Sequence, residues 1–263
     1  MRNTDPIGFF DSGVGGTSIW KEVIQLLPQE STIYLADSEN APYGEKPEHE
    51  IIHLSKKNTE RLLGMGCKLI VVACNTATTN AIDLLRSTYP VPFIGIEPAI
   101  KPAALGSKSK VIGILATRGT LTSKLFSKTS GLYSGDTKII EVVGNGLVPM
   151  IEKEEHNTPE MERLLRELLK PMLEANIDFL VLGCSHYPYL LPKLKEIFPP
   201  EVRIIDSGEA VARQTKKVLE ENNLRNKENK TPLHQLFTNV DPQVLCNLTE
   251  ATKNGYQVSY LDF

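Results

Sequence analysis

Short apolar runs alternate with amphipathic stretches along almost the whole chain. Residues 7–10 form an apolar run that breaks into Asp11-Ser12-Gly13-Val14-Gly15-Gly16-Thr17 and then an amphipathic segment through Leu27. Thr32–Ala36 is a second run, followed by a turn-rich stretch over residues 37–44 and a helix predicted over 47–63. Residues 69–73 are a third run, which stops at Cys74 and continues as Asn75, Thr76, Thr78, Thr79 and Asn80, with a helix predicted around 81–86. Residues 92–96 are a fourth, ending at Glu97-Pro98. Short β-branched runs bounded by polar residues read as buried parallel strands, and alternation with helices means an α/β fold with parallel sheets.

The rest of the chain continues the alternation. Strands are predicted at 110–115, at Lys138–Val143, at 178–182 and at 202–205. Thr158 and Pro159 look like the cap and first residue of a helix whose Met161, Leu164, Leu165, Leu168, Leu169 and Met172 share one face. Pro171 should kink or end that helix. Asp206-Ser207-Gly208 reads as a cap for a helix to about Glu221, and the charged 221–232 connector as an exposed loop. Residues 257–261 could add a last strand.

The pattern repeats itself. VVACNTATTNAI and LVLGCSHYPYLL each run strand, cysteine, polar cluster, helix. Cys74 precedes Glu97 by 23 residues and Cys184 precedes Asp206 by 22. Upstream, Asp11 lies 63 residues before Cys74, and Thr117 lies 67 before Cys184. A duplicated half would place one thiol on each side of a cleft, just beyond the carboxyl ends of strands, where open α/β sheets bind ligands.

Two opposed thiols suit inversion of a carbon centre: one removes a proton from one face, and the other returns a proton to the opposite face. A free thiol has a pKa of about 8.5, so a thiolate at neutral pH needs a neighbouring base, cation or helix N-terminus. His186 and Asp11 are the natural partners. Ser12, Asn40, Asn75, Thr76, Thr117, Ser185 and the glycine N–H groups supply donors for a small acidic substrate. No lysine occupies a strand-end motif, which points away from a Schiff-base cofactor. Other readings stay open at this level. Cys184, His186 and Asp11 could ligate zinc, thiol and imidazole could make a nucleophilic hydrolase, and the cysteines could be packing residues of a binding or regulatory domain.

Composition narrows this modestly. The 263 residues carry a net charge of −3, which gives no electrostatic reason to expect nucleic-acid binding. No uncharged apolar run approaches a membrane span, and the N-terminus lacks a signal-peptide pattern. Four cysteines with no CxxC read as reduced thiols in a cytoplasmic protein. Cys67 and Cys246 are expected to pack, Trp20 to lie in the core, and His49, His53, His156 and His234 to be solvated.

At Asp11-Ser12-Gly13-Val14-Gly15-Gly16, Ala41-Pro42-Tyr43-Gly44, Ala73-Cys74-Asn75-Thr76-Ala77 and Leu182-Gly183-Cys184-Ser185-His186-Tyr187-Pro188 the sequence closely resembles the glutamate racemases. These are cofactor-independent enzymes that supply D-glutamate for peptidoglycan. The resemblance runs from about residue 7 to about 206 and extends into the tail. It implies that Cys74 acts on the D-isomer and Cys184 on the L-isomer, assisted by Asp11 and His186, with Glu152 lining the site. Asp11, Ser12, Tyr43, Gly44, Asn75, Thr76, Thr117, Ser185 and His186 would contact the substrate. It further implies two pseudo-symmetric α/β domains, 1–97 plus 208–263 and 98–207, with the site in the cleft between them, no cofactor and no metal. Monomer and homodimer both stay open. Ser185 stands where the family usually has threonine, and Lys46 where many members have arginine. Aspartate and hydantoin racemases also use two cysteines; the glycine-rich Asp11 loop and His186 favour glutamate over aspartate.

Overall fold

In the computed structural model, which describes residues 2–228 and 230–263, ten strands and twelve helices alternate. Met1 and Asn229, the latter within the expected connector loop, lie outside the described residues. The first sheet is built from β1 (Ile7–Asp11), β2 (Thr32–Ala36), β3 (Leu69–Val72) and β4 (Phe93–Gly95), with α1 (Thr17–Leu26), α2 (Glu48–Gly64) and α3 (Asn75–Thr88) between them. After α4 (Ile100–Gly106), the second sheet takes β5 (Val111–Ala116), β6 (Lys138–Val143), β7 (Phe179–Gly183) and β8 (Arg203–Ile205). Their connections carry α5 (Arg118–Leu121), α6 (Lys124–Gly131), α7 (Leu147–Glu152), α8 (Pro159–Glu174) and α9 (Leu191–Ile197). Then α10 (Gly208–Glu221) leads back to the first sheet, where β9 (His234–Thr238), α11 (Gln243–Thr249), α12 (Ala251–Asn254) and β10 (Gln257–Tyr260) complete the chain.

The strand order is β10-β9-β2-β1-β3-β4 in one sheet and β6-β5-β7-β8 in the other, every pair parallel. The four-strand orders β2-β1-β3-β4 and β6-β5-β7-β8 are the same arrangement used twice. The halves suggested by the spacing of the two cysteines are therefore topologically equivalent, with Cys74 after β3 and Cys184 after β7. In register, Asp11 ends β1 where Ala116 ends β5, so Ser12 and Thr117 are the matching residues beyond the strand ends. The central strands β1, β3 and β7 are buried along their whole length, as their largely apolar sequences require.

Local chemistry sets several boundaries. The helix expected around 81–86 begins at Asn75, because the Cys74 sulfur itself caps it, accepting from Ala77 N at 3.4 Å. Thr158 caps α8 from Oγ1 to Met161 N at 3.3 Å, with Pro159 at its first turn. Pro171 does not end that helix, which runs on to Glu174. Fully buried Met172 anchors the last turn, and Ala175 N closes it onto Pro171 O at 3.1 Å. Asp206 serves the N–H of Gly208, the first residue of α10, at 2.7 Å.

Other expectations fail where tertiary contacts decide. The connector is not wholly exposed: Asn226 is buried, its N–H on Glu30 Oε1 at 2.8 Å and its side-chain amide on Gln29 O at 2.8 Å. Glu30 also pairs with fully buried Lys68 at 2.6 Å, so this ion pair draws the returning chain into the fold. His49 and His53 are exposed, but His156 and His234 are half-buried. His234 lies on β9, bonded to Thr32 Oγ1 at 2.9 Å and packed edge-on against Trp20. No helix among the described residues is long and apolar enough to cross a membrane.

Candidate active site

The buried strand β1 delivers Asp11 to its carboxyl end, and the following glycine-rich loop wraps around the Asp11 carboxylate. Gly16 N and Gly13 N donate to Asp11 Oδ2 at 2.9 and 3.3 Å. Val14 N donates to Glu152 Oε1 at 2.7 Å, and Gly15 N lies 3.2 Å from His186 Nε2. This loop is no phosphate cradle, since protein side chains already occupy its N–H groups. Close approach explains its glycines. A Cβ on Gly13 would fall 1.9 Å from Glu152 Oε1, and one on Gly15 would fall 2.2 Å from His186 Nδ1.

Glu152 ends α7 and His186 follows β7, so both come from the second half of the fold to meet the loop of the first. His186 Nε2 lies 2.6 Å from Glu152 Oε1, and Ser38 Oγ donates to the other carboxylate oxygen at 2.8 Å. His186 Nδ1 is 3.8 Å from Cys184 Sγ and 4.0 Å from Asp11 Oδ2. Burial alone would lower the imidazole pKa, but Cys184, Glu152 and Asp11 around it outweigh that and hold it well above its ordinary value. Charged, the ring donates from Nε2 to Glu152. In the neutral form with its hydrogen on Nδ1, the same nitrogen can accept from Gly15 N–H. Ser185 Oγ donates to Asp11 Oδ1 at 3.1 Å, the hydroxyl function that the expected threonine would also supply. Asp11 is fully buried; burial raises its carboxyl pKa, and the His186 charge works against that rise.

Cys74 occupies the equivalent place after β3 with a different surround. Its thiol lies 3.8 Å from Ser12 Oγ and accepts the Ala77 N–H noted above. Burial pushes this thiol well above its ordinary pKa, and the Asp11 and Cys184 charges push it the same way, with only Ala77 and Ser12 opposing. Cys74 is therefore held as a thiol, on the side without an imidazole. Next to it, both side-chain polar atoms of Asn75 are buried and lack a partner among the described residues. A buried amide left unpaired costs stability, so these two atoms are the site's unsatisfied polar groups.

The remaining predicted residues converge on the same place. Thr76 Oγ1 meets Thr117 Oγ1 at 2.8 Å across the boundary between the halves, and Gly44 packs so closely on Thr117 that a Cβ there would lie 2.5 Å from Thr117 Cβ. Tyr43 OH donates to Asp37, a residue the sequence reading did not single out. Asp37 is wholly buried and also takes Asn239 Nδ2 at 2.6 Å, Asn40 Nδ2 at 2.8 Å and Lys57 Nζ at 3.4 Å. The available signal was an acid directly after a strand, the same signal as Asp11. Lys46 pairs with Glu50 instead of entering the site. Among the described residues no group of three or more His, Cys, Asp or Glu could hold a metal ion, so the zinc reading of Cys184, His186 and Asp11 lacks a ligand set.

Cys74, Cys184, Asn75, Ser185 and His186 are all nearly inaccessible to solvent. The crevice beside Gly44, Thr117 and Val148 holds about 20 Å³, one water's worth of space.

Known proteins resemble this chain in sequence and in fold. The sequence model of the Asp/Glu/Hydantoin racemase family matches residues 15–215. The glutamate racemase of Cupriavidus pinatubonensis is 48% identical over 222 residues, covering 84% of this chain and 82% of that protein. The crystal structure of the glutamate racemase isoform RacE1 from Bacillus anthracis superimposes with a TM-score of 0.87 at 30% identity, covering 100% of this chain and 98% of that one. The Escherichia coli glutamate racemase, solved in complex with L-glutamate and the activator UDP-MurNAc-ala, gives a TM-score of 0.85 at 31% identity, with 97% of each chain covered.

Proposed function

The chain belongs to the Asp/Glu/hydantoin racemase family, and we propose that it interconverts L-glutamate and D-glutamate through Cys74 and Cys184, with no cofactor. The reaction supplies D-glutamate for peptidoglycan biosynthesis. The observation that carries the two-thiol assignment is the repeated strand order, which sets the cysteines at equivalent strand ends of two sheets whose loops interlock.

In the L-to-D direction, the Cys184 thiolate takes the Cα proton of L-glutamate. The Cys74 thiol then gives its proton to the opposite face, leaving Cys74 as thiolate and Cys184 as thiol. His186, held protonated beside Cys184, compensates the negative charge on that sulfur; Glu152 and Asp11 fix the ring and stabilise its charge. In the D-to-L direction the roles reverse. The Cys74 thiolate is then supported by Ala77 N–H, by Ser12 and by the N-terminus of α3. Ser12, Tyr43, Gly44, Asn75, Thr76, Thr117, Ser185 and the Asp11 and His186 pair hold the two carboxylates and the amine. Electrostatic preorganisation of these donors in a dry cleft stabilises the carbanion that forms between the two transfers.

The two sheets with their helices are the two domains, 1–97 plus 208–263 and 98–207, and the cleft between them opens and closes around the substrate. The protein works in the cytoplasm, its four thiols reduced. The test is direct. Chelator-treated protein without added cofactor is given L-glutamate or L-aspartate, and the enantiomers are separated chromatographically. D-glutamate accumulates to equal amounts of the two isomers, and L-aspartate is converted at least 100-fold more slowly. Absence of D-glutamate, or faster conversion of aspartate, would overturn the substrate assignment.

A further inference from the structure

Tyr189 follows His186 in the turn between β7 and α9, and its N–H donates to His186 O at 3.2 Å. Its side chain reaches into the other half of the fold, where the phenol oxygen lies 2.5 Å from Thr17 Oγ1 at the start of α1. Thr17 is fully buried, and its Oγ1 lies 2.6 Å from Val14 O in the glycine-rich loop. Val14 is the residue whose N–H holds Glu152, the carboxylate bonded to His186.

The hydrogens along this path have one arrangement. A carbonyl oxygen only accepts, so the single hydrogen of the Thr17 hydroxyl goes to Val14 O. Thr17 Oγ1 is then the acceptor of the Tyr189 hydrogen, and each contact holds one hydrogen. Burial pushes the Tyr189 phenol up to about 12, so that hydrogen is present throughout the neutral range. The ring is backed by the Lys21 ammonium, 5.7 Å from its centre and bonded to Leu248 O at 2.7 Å.

These bonds close a circuit across the two halves. It runs from the His186 ring to Glu152, Val14, Thr17 and Tyr189, and returns to His186 through the backbone. Ser18 Oγ adds a second tie to the same turn, donating to Ser185 O at 2.8 Å. The turn that carries the imidazole is thus pinned to the loop both through the ring and behind it.

We propose that Tyr189 is a positioning residue, whose hydroxyl donates to Thr17 and so holds the His186 turn where the imidazole meets Cys184. The assignment rests on His186 assisting Cys184 in glutamate racemisation. Tyr189 acts through His186, so losing its hydroxyl slows the proton transfer at Cys184 more than it weakens substrate binding.

The experiment uses Tyr189→Phe, Thr17→Val, their double variant, Thr17→Ser and His186→Asn. It measures kcat, KM and the substrate-deuterium effect on kcat/KM for both enantiomers, together with the melting temperature. Tyr189→Phe lowers kcat about 3- to 10-fold, the range for one hydrogen bond, with KM little changed. Its isotope effect grows for L-glutamate and shrinks for D-glutamate, in the same sense as His186→Asn but less. Lost packing alone would lower the melting temperature and leave the two isotope effects in their parent ratio. Thr17→Ser keeps the hydroxyl and the parent kinetics, and the double variant is no slower than Thr17→Val. Parent kinetics in Tyr189→Phe, or full additivity in the double variant, overturns the positioning role alone when His186→Asn still skews the isotope effects. Isotope effects left in the parent ratio by His186→Asn overturn the assistance to Cys184 and the role of Tyr189 with it. A parent chain that does not racemise glutamate overturns the substrate reading beneath both.

Discussion

His186 Nε2 lies 2.6 Å from Glu152 Oε1, a bond that ties the imidazole beside Cys184 to the carboxylate on which Val14 and Ser38 also converge. His186 and Glu152 thus sit on the Cys184 side, and Cys74 is left with a hydroxyl, a backbone N–H and the nearby Asp11 carboxylate.

That asymmetry has a kinetic signature. Glu152→Gln and His186→Asn lower kcat/KM about 100-fold, the scale of losing assistance to a proton transfer. The loss is equal in both directions, because two enantiomers have equal free energy and the equilibrium constant is one. Isotope effects separate the two sides. In either variant the substrate-deuterium effect on kcat/KM grows for L-glutamate, whose proton goes to Cys184, and shrinks for D-glutamate. Effects that change equally for the two isomers would show that His186 and Glu152 serve both thiols.

Gly15 is set by the nearness of the imidazole. In Gly15→Ala the new methyl would lie 2.2 Å from His186 Nδ1, so the ring must move away from Cys184. Overpacking costs about 1–3 kcal/mol, which in a chain of this size lowers the melting temperature by roughly 2–4 °C per kcal/mol. Activity falls further than stability, by about 100-fold or more, since the ring leaves its place beside the sulfur. Thermal melts and racemisation rates on the same preparation check this; full activity would mean that His186 needs no fixed position.

Burial and the Asp11 charge keep Cys74 protonated, and this is readable in the free protein. A raised pKa means that the thiolate fraction is small at neutral pH and keeps growing above the ordinary thiol value. Alkylation of Cys74 by iodoacetamide, located by mass spectrometry between pH 7 and 10, therefore keeps accelerating past about pH 8.5, where an unperturbed thiol begins to level off. A plateau near pH 8.5 would contradict the protonated resting state.

Much of this was legible in the sequence because strand-end chemistry is local. An apolar run that stops at a cysteine and turns polar marks both the strand and the site, and two such stretches with similar spacing carried the duplication. Asp11, Ser12, Ser185 and His186 were visible on the same grounds. What escaped notice depends on partners distant in sequence. Asp37 is a hub only because Asn239, some two hundred residues later, folds back beside it. The strand β9 went unassigned because His234–Thr238 is only half apolar and pairs with β2 as the chain returns. The 221–232 connector looked solvated by composition, yet Glu30 draws Asn226 inward.

The central claim is that two thiols on opposite faces each handle one enantiomer, and deuterium incorporation tests it most directly. L-glutamate is converted in deuterated water by metal-free protein, and both isomers are recovered early in the reaction. Two single-proton bases predict that the D-glutamate formed carries deuterium at Cα while the remaining L-glutamate is still protiated. The reverse experiment, started from D-glutamate, gives the mirror result. Deuterium appearing in the recovered substrate as fast as in the product, or no inversion at all, would contradict the two-thiol account.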